Sequence, residues 1–272
     1  MLPIVLTVAS LLAAVLPPAP DAPLPTSPAA LAGDLQRSDA GLSAALADWT
    51  AVDPQLVQPA PPADVQLWAL RQQRLLLALR ERPRTARAVL ARLYGSLRRE
   101  SSVTLAAMGD LKRLAPAHPS KRRWKVGPAL PAGRLLALYR AADRRFGVAW
   151  NVLAAVNFVE TGFNKLRSDS TAGAQGPMQF IPSTWHAYGL GGDIHDPHDA
   201  IFAAANYLHA SGAPSSYRRA LYSYNPSPLY VDAVLRYAQR IGSSRDAFLA
   251  YYAWQIFVRE PSGRLRRLTG PR

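Results

Sequence analysis

The segment Val148-Ala-Trp-Asn-Val-Leu-Ala-Ala-Val-Asn-Phe-Val-Glu160-Thr-Gly-Phe163 is apolar nearly all round and carries one charged residue, Glu160. A helix of this kind has no face to give to water, so it must lie at the centre of a domain with other elements packed on every side. Its flanks agree with that role. Residues Ala132–Phe146 predict a preceding helix that stops near Gly147, where a glycine can take the left-handed conformation that ends helices. Downstream, Gly173–Phe180 reads as a turn with a short extended piece, and Pro182-Ser-Thr-Trp185 opens a further short helix. The chain is therefore expected to be mainly α.

Glu160 is the only carboxylate between Asp143 and Asp169. A carboxyl held against apolar walls has its charged form disfavoured, which raises its pKa toward neutrality and suits a general acid. The plain alternative is a helix-end glutamate that reaches water. Glu160 gains weight from the polar and sulfur side chains that follow in Gly173-Ala-Gln-Gly-Pro-Met-Gln-Phe180.

The chain is read in six parts. Residues 1–16 hold the apolar run Leu2–Leu16, broken by Pro3, Thr7 and Ser10. It is shorter than the ~20 residues of a membrane span and has the length of a signal-peptide core, although no Lys or Arg precedes it. Export is the expectation, with cleavage or as a short anchor. Residues 17–33 are a Pro/Ala-rich linker, expected to be extended and mobile. Residues 34–114 form a helical accessory region, with a weak helix around Leu35–Trp49 and a helical hairpin from Val65–Leu79 and Thr85–Leu97 about Pro83. Its many arginines are expected on solvated faces. Residues 115–131 are a basic connector, 132–242 the catalytic domain, and 243–272 an aromatic helix (Phe248–Phe257) with a basic tail.

Lys+Arg outnumber Asp+Glu by 32 to 18, a formal net charge of +14, and only four of the cations are lysines. Such a balance favours anionic surroundings: nucleic acid, anionic lipid or an acidic wall polymer. No recognised DNA or RNA motif accompanies the arginines, so nucleic acid is not expected as a partner. The absence of cysteine removes disulfides, Cys-based zinc sites and Cys nucleophiles. In Asp193-Ile-His-Asp-Pro-His-Asp199, Asp196 fits an N-cap, Pro197 the first helical position and Asp199 the third. Each residue then has a role without a metal, and neither a metal nor a cofactor is expected.

Three separated pieces occur in order: Glu160-Thr-Gly-Phe-Asn164, Gly176-Pro-Met-Gln179, and Tyr222-Ser-Tyr-Asn225 followed by Tyr230. Together they resemble the lytic transglycosylase domain, whose signature runs Glu-Ser, Gly-x-Met-Gln, then Ala-Tyr-Asn with a further Tyr. The resemblance covers about Ala132 to Ile241. The run Ala172–Trp185 and the Asp196-Pro-x-Asp-Ala-Ile helix start are similar to the membrane-bound B-type branch. Thr161 stands for the usual Ser, and Ser223-Tyr-Asn for Ala-Tyr-Asn.

The resemblance implies a goose-lysozyme-like fold, exported, acting on peptidoglycan glycan strands. Residue by residue, it implies that Glu160 is the catalytic acid/base. It likewise implies that Thr161, Met178, Gln179, Tyr224, Asn225 and Tyr230 belong to the sugar site, Met178 packing beneath it and Tyr230 standing beside the carboxyl. Taken by themselves, Met178 and Tyr222 read as core residues, and Gln179 and Asn225 as ordinary turn residues. Asp169 offers a hydrolytic alternative as a water-activating base, although its loop position, Arg167-Ser-Asp-Ser170, fits a solvated turn better. A non-catalytic wall-binding module is the other alternative, in which the arginines from Arg71 to Arg99 dock an anionic wall polymer or a partner protein. The accessory region holds none of the three pieces and is expected to stand apart from the catalytic machinery.

Overall fold

The computed structural model describes residues 16–115 and 123–271. The expected leader therefore lies outside the described residues apart from Leu16, as does the 116–122 part of the basic connector. The described residues form eleven α-helices and one short antiparallel hairpin, the mainly α architecture expected. In order these are α1 (Pro28–Val52), α2 (Ala63–Arg80), α3 (Pro83–Leu90), α4 (Gly95–Leu114), α5 (Ala132–Phe146) and α6 (Trp150–Thr161). There follow α7 (Pro182–Tyr188), α8 (Pro197–Ala210), α9 (Tyr217–Tyr224), α10 (Pro228–Ile241), α11 (Arg245–Ala253), β1 (Phe257–Arg259) and β2 (Leu265–Arg267). Among the described residues no helix is long and apolar enough to cross a membrane.

The apolar helix α6 lies where its composition requires. Val152 through Asn157 are all buried, and α5, α8 and α10 pack around it. The helices that surround it begin with side-chain caps. Asp196 accepts from the N–H groups of His198 and Asp199, with Pro197 at the first position, as the sequence predicts. Ser216, Ser227 and Ser244 cap α9, α10 and α11 in the same way. Each such cap is worth about 1 kcal/mol. The cap at Ser227 also fixes where Tyr230 enters the core, because it receives the Tyr230 N–H.

The N-terminal part departs from expectation in three respects. First, the linker ends sooner than residue 33, since Ser27 caps α1 at Pro28. It is also tied down: Arg71, only 7% exposed, grips the Asp34 carboxylate and the carbonyls of Ala22 and Pro23. Arg74 takes the carbonyls of Pro20 and Ala22. An extended proline-rich segment has carbonyls with no internal partner, and arginine forks satisfy them. These two arginines are thus structural and not part of a solvated face.

Second, the expected hairpin is really three helices, since α3 stops at Leu90 and Leu97 belongs to α4. Third, the accessory region is not separate. α4 packs along α10, while α1 and α2 pack on α11, and one hydrophobic core runs through both halves. Thr104 of α4 and Tyr251 of α11 share a buried hydrogen bond of 2.7 Å.

The last part differs as well. α11 ends at Ala253, so Phe257 lies in β1 and the expected basic tail folds back as β2, with Gly263 (φ 81) in the turn. The connector from residue 123 runs extended beside residues 165–168: Val126 bridges Leu166, and Gly127 donates to the Lys165 carbonyl at 2.9 Å.

Candidate active site

Glu160 occupies the last turn of α6. The chain then takes three successive left-handed residues, Gly162 (φ 59), Phe163 (φ 62) and Asn164 (φ 65). This conformation costs a non-glycine residue about 1–2 kcal/mol, so it persists only where its surroundings enforce it. Two contacts do so. The Phe163 ring is fully buried against Phe158, Phe248 and Tyr252, and the Asn164 N–H donates to Thr161 Oγ1 at 2.9 Å.

The Glu160 side chain is half-buried, and the hydroxyl of Tyr230 donates to its Oε1 at 2.6 Å. Burial pushes the carboxyl up to about 7, against the opposing pull of that hydrogen bond. With Oε1 accepting from Tyr230, the proton of the neutral acid resides on Oε2. The Tyr230 ring lies nearly parallel to that of Tyr224, 3° apart with centroids at 6.5 Å.

The Gly176–Gln179 turn is fastened to α6 and α9. Gln175 and Phe180 exchange backbone hydrogen bonds of 2.9 Å across it. Gly176 has φ 71, and a Cβ there would lie 1.9 Å from the Ile194 carbonyl oxygen, so only glycine fits. The Pro177 carbonyl accepts from Asn157 Nδ2 (2.8 Å) and Thr161 Oγ1 (2.7 Å), and the Met178 carbonyl from the Tyr224 hydroxyl (2.6 Å). Gln179 also has positive φ (50) and folds its amide onto the Gly176 carbonyl at 3.0 Å.

These contacts distribute the expected site residues unevenly. Glu160 and Gln179 line one cavity of about 580 Å³, and Asp169, exposed, lines it too. Tyr230 reaches the same carboxyl from the core side. Thr161 lies on the same cavity lining and also braces it from within: the residue is 1% exposed and its hydroxyl bridges α6 to Pro177. Met178 is core, with its side chain fully buried. Tyr224 is half-buried and gives its hydroxyl to Met178, while Asn225, half-buried at the end of α9, lies outside the cavity lining. Tyr222, read as core, is 49% exposed because α9 turns it outward. Arg167 directs its guanidinium to the carbonyls of Asn164 and Pro128.

Several wall residues carry no motif. Gln73, Arg80, Met108 and Leu111 come from the accessory helices, Trp124 from the connector, and Trp254 to Arg259 from the C-terminal segment. The accessory region thus builds one side of the groove, contrary to the expectation that it stands apart. Lys165 holds the C-terminal wall in place. Its Nζ donates to the carbonyls of Tyr252 and Trp254, and burial pulls the ammonium down to about 7. Asn157 did leave a signal, as a polar side chain in an apolar helix one turn before Thr161; it accepts from the Tyr139 hydroxyl at 2.6 Å.

The Asp196, His198 and Asp199 side chains lie close together. Their oxygens are engaged locally: Asp196 caps α8, and Asp199 accepts from the Asp193 N–H (2.9 Å) and meets His198 Nδ1 (2.8 Å).

Residues 137–246 match the family model of the Transglycosylase SLT domain. The matched span holds Glu160, the Gly176–Gln179 turn and Tyr230, and the match supports a lytic-transglycosylase, lysozyme-like assignment for that part of the chain. A domain of this kind points to peptidoglycan as the substrate class. Comparison with curated proteins and with solved structures gives no match.

Proposed function

We propose that this protein is a peptidoglycan lytic transglycosylase that cleaves the MurNAc–GlcNAc bond with Glu160 as its single acid/base. One observation carries the reading: a carboxyl raised to about 7, bonded to Tyr230 and opening on a groove, within the residues that match the Transglycosylase SLT domain. Cleavage requires a proton on the glycosidic oxygen while positive charge develops on the sugar ring. Glu160 holds that proton near neutral pH and donates it. The substrate's own N-acetyl oxygen stabilises the cation, as in substrate-assisted glycosidases, so no second carboxylate is required. Glu160, now ionised, takes the proton of the same sugar's 6-hydroxyl, which closes a 1,6-anhydro ring without consuming water. Gln179, on the groove wall, is the neutral side chain placed to orient the N-acetyl group. No step calls for a cofactor.

The motif run Ala172–Trp185 supports kinship with the B-type branch, and the substrate class supports a place in the cell envelope or outside the cell. A non-catalytic wall-binding role leaves the proton-holding Glu160 without a purpose. Hydrolysis is the second reading, favoured by Asp169 on the wall of the same cavity. The mass of the released muropeptides tests the two. Products ending in 1,6-anhydro-MurNAc, one water lighter than hydrolytic products, are expected; reducing ends would transfer the assignment to a muramidase.

A further inference from the structure

Glu81, just past the end of α2, accepts hydrogen bonds from three cations. Arg80 reaches its Oε1 through Nε (3.1 Å) and Nη2 (2.7 Å), Arg259 reaches the same oxygen through Nη2 (2.8 Å), and Lys112 reaches Oε2 (2.6 Å). Burial pushes the Glu81 carboxyl up, but the bonds from Lys112, Arg80 and Arg259 outweigh it and hold it at about 2. Three positive charges thus face one negative charge, which leaves an excess of two.

Tying α2, α4 and β1 together does not need that excess. One cation on Glu81 forms a neutral pair, and each further cation adds repulsion between like charges. Two of the three cations lie on the groove wall. Arg80 and Arg259 line the cavity that opens on Glu160, and Lys112 is 40% exposed on its side chain. None of the three cations falls within residues 137–246, so this charge is supplied by segments outside the transglycosylase match.

In a stem-bearing peptidoglycan strand the sugars, with their N-acetyl groups, are neutral, because the lactyl carboxyl of MurNAc is tied up in the amide to the peptide, and the negative charge resides on free carboxylates of that peptide. Guanidinium forks match a carboxylate in shape as well as in charge. Resting on the reading of the groove as a glycan-cleaving site, we infer that Arg80, Arg259 and Lys112 form a subsite for a free carboxylate of that peptide. The protein therefore selects stem-bearing strands over bare ones.

The test uses the full chain and two substrates: soluble stem-bearing glycan strands, and the same strands stripped of peptide by an amidase, with the lactyl carboxylates that this exposes capped as neutral amides. Cleavage is followed with the active protein, and binding with Glu160→Gln, which does not turn over. Stem-bearing strands are expected to bind about tenfold more tightly, the factor that one charge-assisted hydrogen bond supports, and the preference shrinks as salt is raised. Arg259→Gln and, independently, Lys112→Gln lower the ratio toward one. Arg259→Lys, which keeps the charge, restores part of it, and Arg87→Gln, on an exposed face of α3, leaves the ratio as in the parent. Equal binding of both substrates by the parent overturns the subsite, as does an Arg259→Gln effect that weakens both equally. A binding preference without cleavage in the parent keeps the subsite and overturns the transglycosylase reading instead. Retention by anionic wall polymer alone, with no dependence on stems, also overturns the subsite.

Discussion

The hydroxyl of Tyr230 lies 2.6 Å from Oε1 of Glu160, joining the first turn of α10 to the last turn of α6 across 70 residues of chain. The bond opposes the effect of burial on the carboxyl. Removing it in Tyr230→Phe is expected to raise the Glu160 pKa further and to move the alkaline limb of the pH–rate profile upward. The rate near pH 7 should fall roughly tenfold, because the hydrogen bond that orients the acid is lost. An unmoved alkaline limb would show that this pair does not control the titration.

Glu160→Gln keeps shape and polarity but removes the transferable proton. Its rate should fall by more than the ~10²–10⁴ of a single proton transfer, since the residue serves both steps. Stability gives a second readout, independent of activity. The folded carboxyl titrates near 7 and the reference carboxyl at 4.5, so the folded state holds more protons between those values. Stability of the parent is therefore full below 4.5 and declines as pH rises through 7, by at most ~3 kcal/mol. Glutamine does not titrate, so Glu160→Gln should gain Tm relative to the parent at pH 8.5 compared with pH 4.5. A difference independent of pH would refute the raised carboxyl.

Asp169→Asn should alter the rate by less than about threefold if transglycosylation holds, against the ~10²–10⁴ of a lost acid or base. A loss in that larger range, together with reducing ends on the products, identifies Asp169 as the base of a hydrolase.

The sequence alone suggests that a fragment beginning at Val126 retains activity. The packing of α4 on α10 argues for a larger loss. Such a fragment would expose the face of α10 that α4 covers and would lose the Met108 and Leu111 side of the groove. It should be insoluble, or folded and at least tenfold slower in kcat/KM. A soluble fragment with parental activity would show that the accessory helices are dispensable.

Gly176→Ala should destabilise the fold by more than ~2 kcal/mol: the left-handed backbone accounts for about 1–2 kcal/mol, and the Ile194 carbonyl, which blocks the new methyl, adds to it. Chemical denaturation measures it. A change under 0.5 kcal/mol, the range of ordinary surface substitutions, would mean that the turn can reshape freely.

Much of the catalytic part was legible in local pattern. α5 falls on its predicted residues, α6 on the apolar segment, and the Asp196 cap on its motif, because periodicity and capping are properties of neighbouring residues. Glu160 and Tyr230 were legible as a spaced set. The directions of Thr161 and Met178 were not. Thr161 closes α6 and Met178 sits in the Gly176 turn, so where each side chain lies depends on how that turn packs against α6, and Phe163 does not advertise its positive φ. Nor was the approach of Arg80, Trp124 and Trp254 to the groove legible. It depends on α4 lying against α10 and α2 against α11, contacts between segments more than a hundred residues apart.

The clamp of Lys165 on the carbonyls of Tyr252 and Trp254 makes the finished groove depend on the last part of the chain. Its acceptors lie 87 and 89 residues after the lysine itself, so the wall opposite Glu160 is drawn from a segment far downstream of the motif glutamate. A chain stopped before Tyr252 would carry every motif residue and yet have an unfinished groove.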